Sequence, residues 1–336
     1  MTFRPHTRMS SIVLSLALLG GVALAGGCDS ADAASGTRIT LGFSAWPGWL
    51  PWQVAQAQGL FARNGLNVDL KYFDNYTDSL IALETGALDA NSQTLNDTLN
   101  SVSAGARQTI VLVNDNSTGN DKIVAREGIT SVADLRGKRI AVEQGTVDHY
   151  LLLLALAQAG LGQGDVTLDP LSRDAGAAAF ASGREDAVCV SAPFTTKALQ
   201  RAGSHAISTS AEFPGAIPTH LVVRPSLIKE HPDEVQALVK TWFDTLKWIK
   251  DHKDAAITIM ARQGGVGVQD YKSYDAGTTI FTRQQNLDAF TAGTTPQHLN
   301  YQAALTADFV FGTGMVQHRP SVDGLLDERF VKAVPQ

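Results

Sequence analysis

Cysteine is almost missing from this chain: 336 residues carry two, Cys28 and Cys189. Cys28 follows an apolar leader and Cys189 sits in a strand-like apolar run, so no intrachain disulfide is available and the core must supply the stability. Positive charge is also in short supply. Lys and Arg number 27 against 33 Asp and Glu, a formal net charge of -6, with no basic cluster to neutralise phosphates. Nucleic acid is therefore not an expected partner. Motifs of hydrolytic and phosphate chemistry are missing as well. There is no GxSxG or HExxH, and GQGDVT at Gly162 lacks the third glycine of a phosphate loop. The eight histidines are dispersed with no i, i+4 pair, so neither a metal site nor a cofactor is expected.

The chain does contain an export signature. Arg4 and Arg8 precede an apolar stretch from Ile12 to Ala25, roughly 14 residues, within the range of a signal peptide and too short to span a bilayer. Leu24-Ala25-Gly26-Gly27-Cys28 looks like a bacterial lipobox, which makes 1–27 a lipoprotein signal peptide and Cys28 the lipid attachment site. Loss of the two arginines moves the formal charge to about -8. Residues 28–37, rich in Asp, Ser, Ala and Gly, read as a flexible tether.

Beyond the tether the hydrophobic period alternates between strand and helix. Ile39, Leu41 and Phe43 predict a strand, Pro51 opens a helix that Gly59 ends, and Val68 to Tyr72 predicts a second strand. Asn75 is placed to cap a helix through Glu84, and Gln108 to Val113 reads as a strand. The alternation then restarts. Lys122–Glu127, Arg139–Glu143 and Ala187–Val190 predict strands, Val147–Ala159 a strongly apolar helix, and Asp174 the cap of an Ala-rich helix ending at Gly183. Thr219–Arg224 predicts a further strand, after which the chain is helical. In the helix Pro232–Asp251, Trp242, Phe243, Leu246 and Ile249 lie at helical spacing and read as a core face. The pattern calls for an α/β fold of two lobes, each a mostly parallel sheet flanked by helices.

Five segments carry a family resemblance: ITLGFSAWPGWLPWQVAQAQGLFARNGLNVDLKYF, DSLIALETGALDA, DLRGKRIAVEQGT, ASGREDAVCVSAPF and HPDEVQALVKTWF. In that order they resemble the substrate-binding proteins of nitrate, sulfonate and taurine type ABC importers. The resemblance implies a periplasmic-binding-protein-like fold of type II, with 38–121 and 225–336 as lobe 1 and 122–224 as lobe 2. The two crossover strands would be Asp121–Arg126 and Thr219–Arg224. It also implies a monomeric, extracytoplasmic, membrane-anchored lipoprotein that delivers a small solute to an ABC permease and its ATPase, and not an enzyme. Thiamine-pyrimidine synthases resemble the same fold, but the cysteine-rich metal motif expected of them is missing.

Ligands of open α/β sheets sit beyond the carboxyl ends of the strands. The loops there offer Trp46, Trp49, Asp74, Asn91, Gln93, Asn114, Asp115, Glu143, Thr146, Asp148 and Ser191 as ligand-binding candidates. Read from these loops the wall is polar and acidic, without Arg or Lys. Carboxylates and an indole face suit a compact nitrogenous cation, guanidine-like or an amine, and this is the first expectation. The helix N-termini at Thr146 and near Gln93 favour an oxyanion, so taurine, an alkylsulfonate or nitrate is the alternative.

Overall fold

A computed structural model describes residues 37–335. The signal segment 1–27, Cys28 and the tether up to residue 36 lie outside the described residues. Eleven strands occur among the described residues. They are β1 (Arg38–Ser44), β2 (Asn67–Phe73), β3 (Ala90–Thr94), β4 (Thr109–Ser117), β5 (Asp121–Ala125), β6 (Arg139–Val142), β7 (Thr167–Pro170), β8 (Ala187–Ser191), β9 (His205–Thr209), β10 (Pro218–Val223) and β11 (Thr278–Ile280). They form one six-stranded sheet, β11-β4-β10-β3-β1-β2, and one five-stranded sheet, β7-β6-β8-β5-β9. Each sheet centres one lobe.

Both sheets are mixed. In the first, β1 pairs in parallel with β2 and β3, while β10 runs antiparallel to β3 and β4. In the second, β6 pairs in parallel with β7 and β8, and β5 is antiparallel to β8 and β9. The antiparallel strands gather where the chain passes between lobes, because a strand that enters a sheet from the neighbouring lobe arrives pointing against the resident βαβ strands. β10, expected inside the 122–224 segment as a crossover strand of lobe 2, is hydrogen-bonded on both edges within the first sheet. The passages are instead the short stretches 118–120 and 210–217. They lie side by side: Ser117 Oγ is 2.7 Å from Ser210 Oγ, and the Gly119 amide donates to the same hydroxyl at 2.7 Å.

Burial follows the sequence pattern closely in the first lobe. Ile39, Leu41 and Phe43 are fully buried, and Trp242 packs its ring 4.7 Å from that of Trp52. Phe243, Leu246 and Ile249 are partly buried and pack against the same core. Asn75 caps the helix Tyr76–Glu84 by accepting from the Thr77 amide. The helix Leu299–Gly312, expected with the other late helices in lobe 1, also packs on lobe 2. Its Phe309 meets Tyr150 edge-on at 5.4 Å, and Val310 belongs to the second lobe's core.

One helix begins earlier than its expected cap. Asp174 lies inside the helix Arg173–Ala181, whose N-cap position is Ser172. Arg173 is thus the first helical residue, immediately beyond the carboxyl end of β7.

Candidate functional site

The carboxyl ends of β1, β3, β6, β7 and β8 face one another across the seam between the lobes, and two small cavities lie there. One, about 10 Å3, is lined by Ser44, Asp74, Tyr76, Glu143, Arg173 and Phe194 among others. The second, also about 10 Å3, is lined among others by Trp46, Trp49, Asp121, Arg173, Ser191 and Thr219. Arg173 borders both.

This arginine corrects the expectation of a wall without a cation. Its side chain is 5% exposed. Nε donates to Asp148 Oδ2 at 2.9 Å and lies 3.1 Å from Glu143 Oε2, and the guanidinium carbon sits 4.4 Å above the Tyr76 ring. Burial opposes its charge, but Asp148 and Glu143 outweigh that cost and hold its pKa above the ordinary arginine value. Nη2 is buried and has no hydrogen-bond partner. A desolvated guanidinium with an unused donor is a strong place for an anion. Ser44 Oγ, also buried and unpartnered, stands in the wall of the first cavity, and Ser191 Oγ, likewise, in that of the second.

Of the predicted ligand residues, the structure brings Trp46, Trp49, Asp74, Glu143 and Ser191 to the cavity walls. Asp74 is exposed, while the two indoles are buried and tilted 59° at 6.4 Å. Asn91, Gln93, Asn114, Asp115, Thr146 and Asp148 do not line them. Asn91 donates to Ser79 Oγ and Gln93 Oε1, and Gln93 donates in turn to Thr98 and Gln108. Asn114 accepts from Ser92, whose own hydroxyl accepts from Trp52 Nε1. Thr146 Oγ1 donates to the Glu143 carbonyl at the start of the helix Val147–Gln158. These side chains tie strand ends together.

Asp115 and Asp148 serve partners already present. Asp115 accepts from Trp46 Nε1 at 2.9 Å and Thr219 Oγ1 at 2.5 Å, and Trp49 Nε1 donates to the same Thr219 hydroxyl at 2.9 Å. One carboxylate therefore positions both cavity indoles. Burial pushes its pKa up to about 7, against the two hydrogen bonds. Gly48 is needed beside it, because a Cβ there would stand 2.0 Å from Asp115 Oδ2. Asp148 is fully buried and neutralises Arg173; burial raises its pKa, and the guanidinium pulls it back. Asp97, holding the Tyr76 hydroxyl at 2.9 Å and the Thr94 hydroxyl at 2.6 Å, is pushed by burial to about 6.

Residues of both lobes touch across the seam. Thr77 Oγ1 donates to Glu143 Oε1 at 2.9 Å, Asn100 Nδ2 donates to the Gly145 carbonyl at 2.9 Å, and Thr196 Oγ1 meets the Tyr274 hydroxyl at 2.6 Å. The arrangement encloses a small polar volume. It holds no reactive thiol: Cys189 donates to the Asp148 carbonyl at 3.0 Å, and burial raises its pKa well above the ordinary thiol value.

Comparison with known proteins agrees with this architecture. The profile of the NMT1-like family matches residues 32–262. The chain belongs to that family. It is 32% identical over 250 residues to the taurine-binding periplasmic protein of Escherichia coli K12, an alignment covering 70% of this chain and 76% of that protein. A Brucella abortus binding protein is 31% identical over 190 residues, covering 55% of this chain; the match spans only 58% of that relative's length. Among solved structures, the alkanesulfonate-binding protein SsuA from Xanthomonas axonopodis pv. citri, bound to MOPS, aligns with a TM-score of 0.74 at 21% identity, covering 87% of this chain and 98% of its own. The desulfurization enzyme DszB shares the fold at a TM-score of 0.60 and 20% identity, covering 88% of this chain and 98% of the enzyme. This NMT1-like chain thus has the periplasmic-binding-protein architecture of two lobes with a seam between them, a scaffold that also hosts catalysis in other proteins.

Proposed function

We propose that this protein is the solute-binding component of an ABC importer, working outside the cytoplasm, and that its ligand is a small sulfonate of the taurine and alkanesulfonate type. One observation carries the ligand class: the buried Arg173 guanidinium, shared by both cavities, with Nη2 unused. A sulfonate offers three acceptor oxygens, and the unpartnered Ser44 and Ser191 hydroxyls, one in each cavity that Arg173 borders, are further donors. A guanidine-like cation, the first expectation from sequence, would have to approach a fixed positive charge; the alternative reading takes its place. The names of the taurine-binding and alkanesulfonate-binding relatives support the same class.

Capture follows from closure. A solute held by Arg173 on one lobe and by Ser44 and the indoles on the other binds the closed state better than the open one, and that difference is what a permease can read. Lipid attachment at Cys28 would keep the loaded protein beside the importer; this part rests on the N-terminal sequence alone. Titration calorimetry and thermal shift with taurine, ethanesulfonate, nitrate and guanidinium chloride test the reading. A sulfonate at 100 times its Kd should stabilise the fold by ~2.7 kcal/mol, a visible shift. Binding of guanidinium with no response to either sulfonate would overturn the assignment.

A further inference from the structure

Arg173 lines the indole cavity, and so does a carboxylate that no cation contacts directly; Arg173 and Lys122 act on it only at longer range. Asp121 is the first residue of β5 and faces Ser191, the last residue of β8, in register. Cross-strand partners of this kind project side by side from the same face, which places a carboxylate and a hydroxyl together at the mouth of the second sheet. Asp121 is 2% exposed and lines the same cavity as Arg173, Trp46 and Trp49. Its Oδ2 is buried without a hydrogen-bond partner. Among the described residues it also makes no salt bridge: the adjacent Lys122 turns its ammonium to the Gly119 carbonyl, and Arg173 is paired with Asp148 and Glu143.

A buried carboxylate oxygen is normally paired. Here the missing partner faces a cavity that also carries two indole rings, surfaces that attract a compact cation. Asp148, by contrast, spends Oδ2 on Arg173 and does not line the cavity. Glu143 spends Oε1 on Thr77 and stands against Arg173 with Oε2. Only Asp121, of these three acids, combines a place in the indole-lined cavity with a free oxygen.

We propose that Asp121 is the specificity-determining residue of this site, reading an ammonium group at the far end of a short sulfonate whose oxyanion head Arg173 holds, so that the favoured ligand is a zwitterion rather than a plain alkanesulfonate. This rests on the sulfonate reading above and adds the second pole. Both poles and the Ser191 hydroxyl line one cavity, so a single short ligand could reach all three.

The test compares taurine with isethionate, its 2-hydroxyethyl counterpart of the same length, by calorimetry on the wild type and on Asp121→Asn. The wild type should bind taurine at least about tenfold more tightly than isethionate. In Asp121→Asn taurine should lose about tenfold or more, while isethionate changes by less than about threefold or gains, and the preference disappears. Asp121→Ser repeats the comparison should the amide disturb folding, which circular dichroism and the melting curve report. A wild-type preference below threefold overturns the proposal without any variant, and so does a preference that survives the substitution. In both of those cases the sulfonate reading stands. Failure of the wild type to bind either compound removes that reading instead, and the proposal with it.

Discussion

Apart from the unpartnered Ser44 hydroxyl on the first lobe, the two walls of the seam treat their buried polar groups in opposite ways. On the first lobe Asp115, Asp97, Asn91 and Gln93 are hydrogen-bonded to neighbours in the same wall, and they orient Trp46, Trp49 and Tyr76. On the second lobe Arg173, Asp121 and Ser191 each keep an atom unpartnered at the cavity. Burial alone therefore does not mark a binding residue; unused hydrogen-bonding capacity at the cavity does. The first wall is a rigid aromatic frame, and the second supplies the charge that a ligand completes.

Removing the charge should break this contrast most severely. Arg173→Met is expected to abolish sulfonate binding, by 100-fold or more, consistent with the ~2–5 kcal/mol lost when one member of a buried charged pair is truncated. It also strands Asp148 and Glu143, so melting should be checked beside calorimetry. Sulfonate affinity within tenfold of wild type in a folded variant would contradict the division of labour. A smaller effect, on stability and not on charge, is expected from Gly48→Ala. Its Cβ would sit 2.0 Å from Asp115 Oδ2 and 2.7 Å from Trp46 Nε1, so the indole frame must shift. Overpacking of this sort costs ~1–3 kcal/mol. An unchanged melting temperature would show that the loop has room to yield.

The frame was far more legible in the sequence than the charge. Alternating Ile39, Leu41 and Phe43, the Asn75 cap and the Trp242 face all announce burial through period and capping chemistry, and each is where that chemistry puts it. Arg173 was hidden for a local reason. β7, Thr167–Pro170, is short, partly exposed and without an apolar run, so no hydrophobic period marks its carboxyl end as a loop that faces the seam. Placing the cap at Asp174 then moved the helix start past the arginine. Asp121 was hidden by its role as a crossover residue, since nothing in a strand's period says that its first carboxylate will open into a cavity. Asp115 and Asp148 were visible as acids at strand and helix ends, but whether an acid serves a ligand or a neighbour depends on long-range partners such as Thr219 and Arg173.

Asp115 sharpens the contrast through pH. Its pKa is raised from 3.8 to about 7 by burial, so the folded state holds a proton that the unfolded chain releases earlier. The stability it contributes is complete below pH 3.8 and is lost as pH rises through about 7. Asp115→Asn keeps an acceptor for Trp46 and cannot titrate, but leaves the Thr219 hydroxyl proton without its acceptor, a cost of roughly 1 kcal/mol. The variant should melt below the wild type at pH 5, with the gap closing or reversing by pH 8. Because Asp115 does not line the cavity, sulfonate affinity should stay within about threefold. A gap independent of pH would mean that the carboxylate is ionised throughout.

The smallest expected effect isolates closure itself. Thr77 Oγ1 donates to Glu143 Oε1 across the seam, a bond between the two lobes that exists when they are together. Thr77→Val keeps the shape of the side chain and removes the donor. The site is partly exposed, so the loss is ~1 kcal/mol, below the ~1.5–3 kcal/mol of a well-buried hydrogen bond to a charged group. Affinity for a sulfonate should then fall about threefold to tenfold, with the change in the dissociation rate, since the closed complex opens more readily. The melting temperature without ligand should move little, since a single partly exposed hydrogen bond contributes little to the fold. Asn100→Ala, which removes the contact to the Gly145 carbonyl, should act in the same direction and add to it. A lower melting temperature with unchanged affinity would place Thr77 with the frame, and the two walls would then be one rigid body rather than two halves that a ligand draws together.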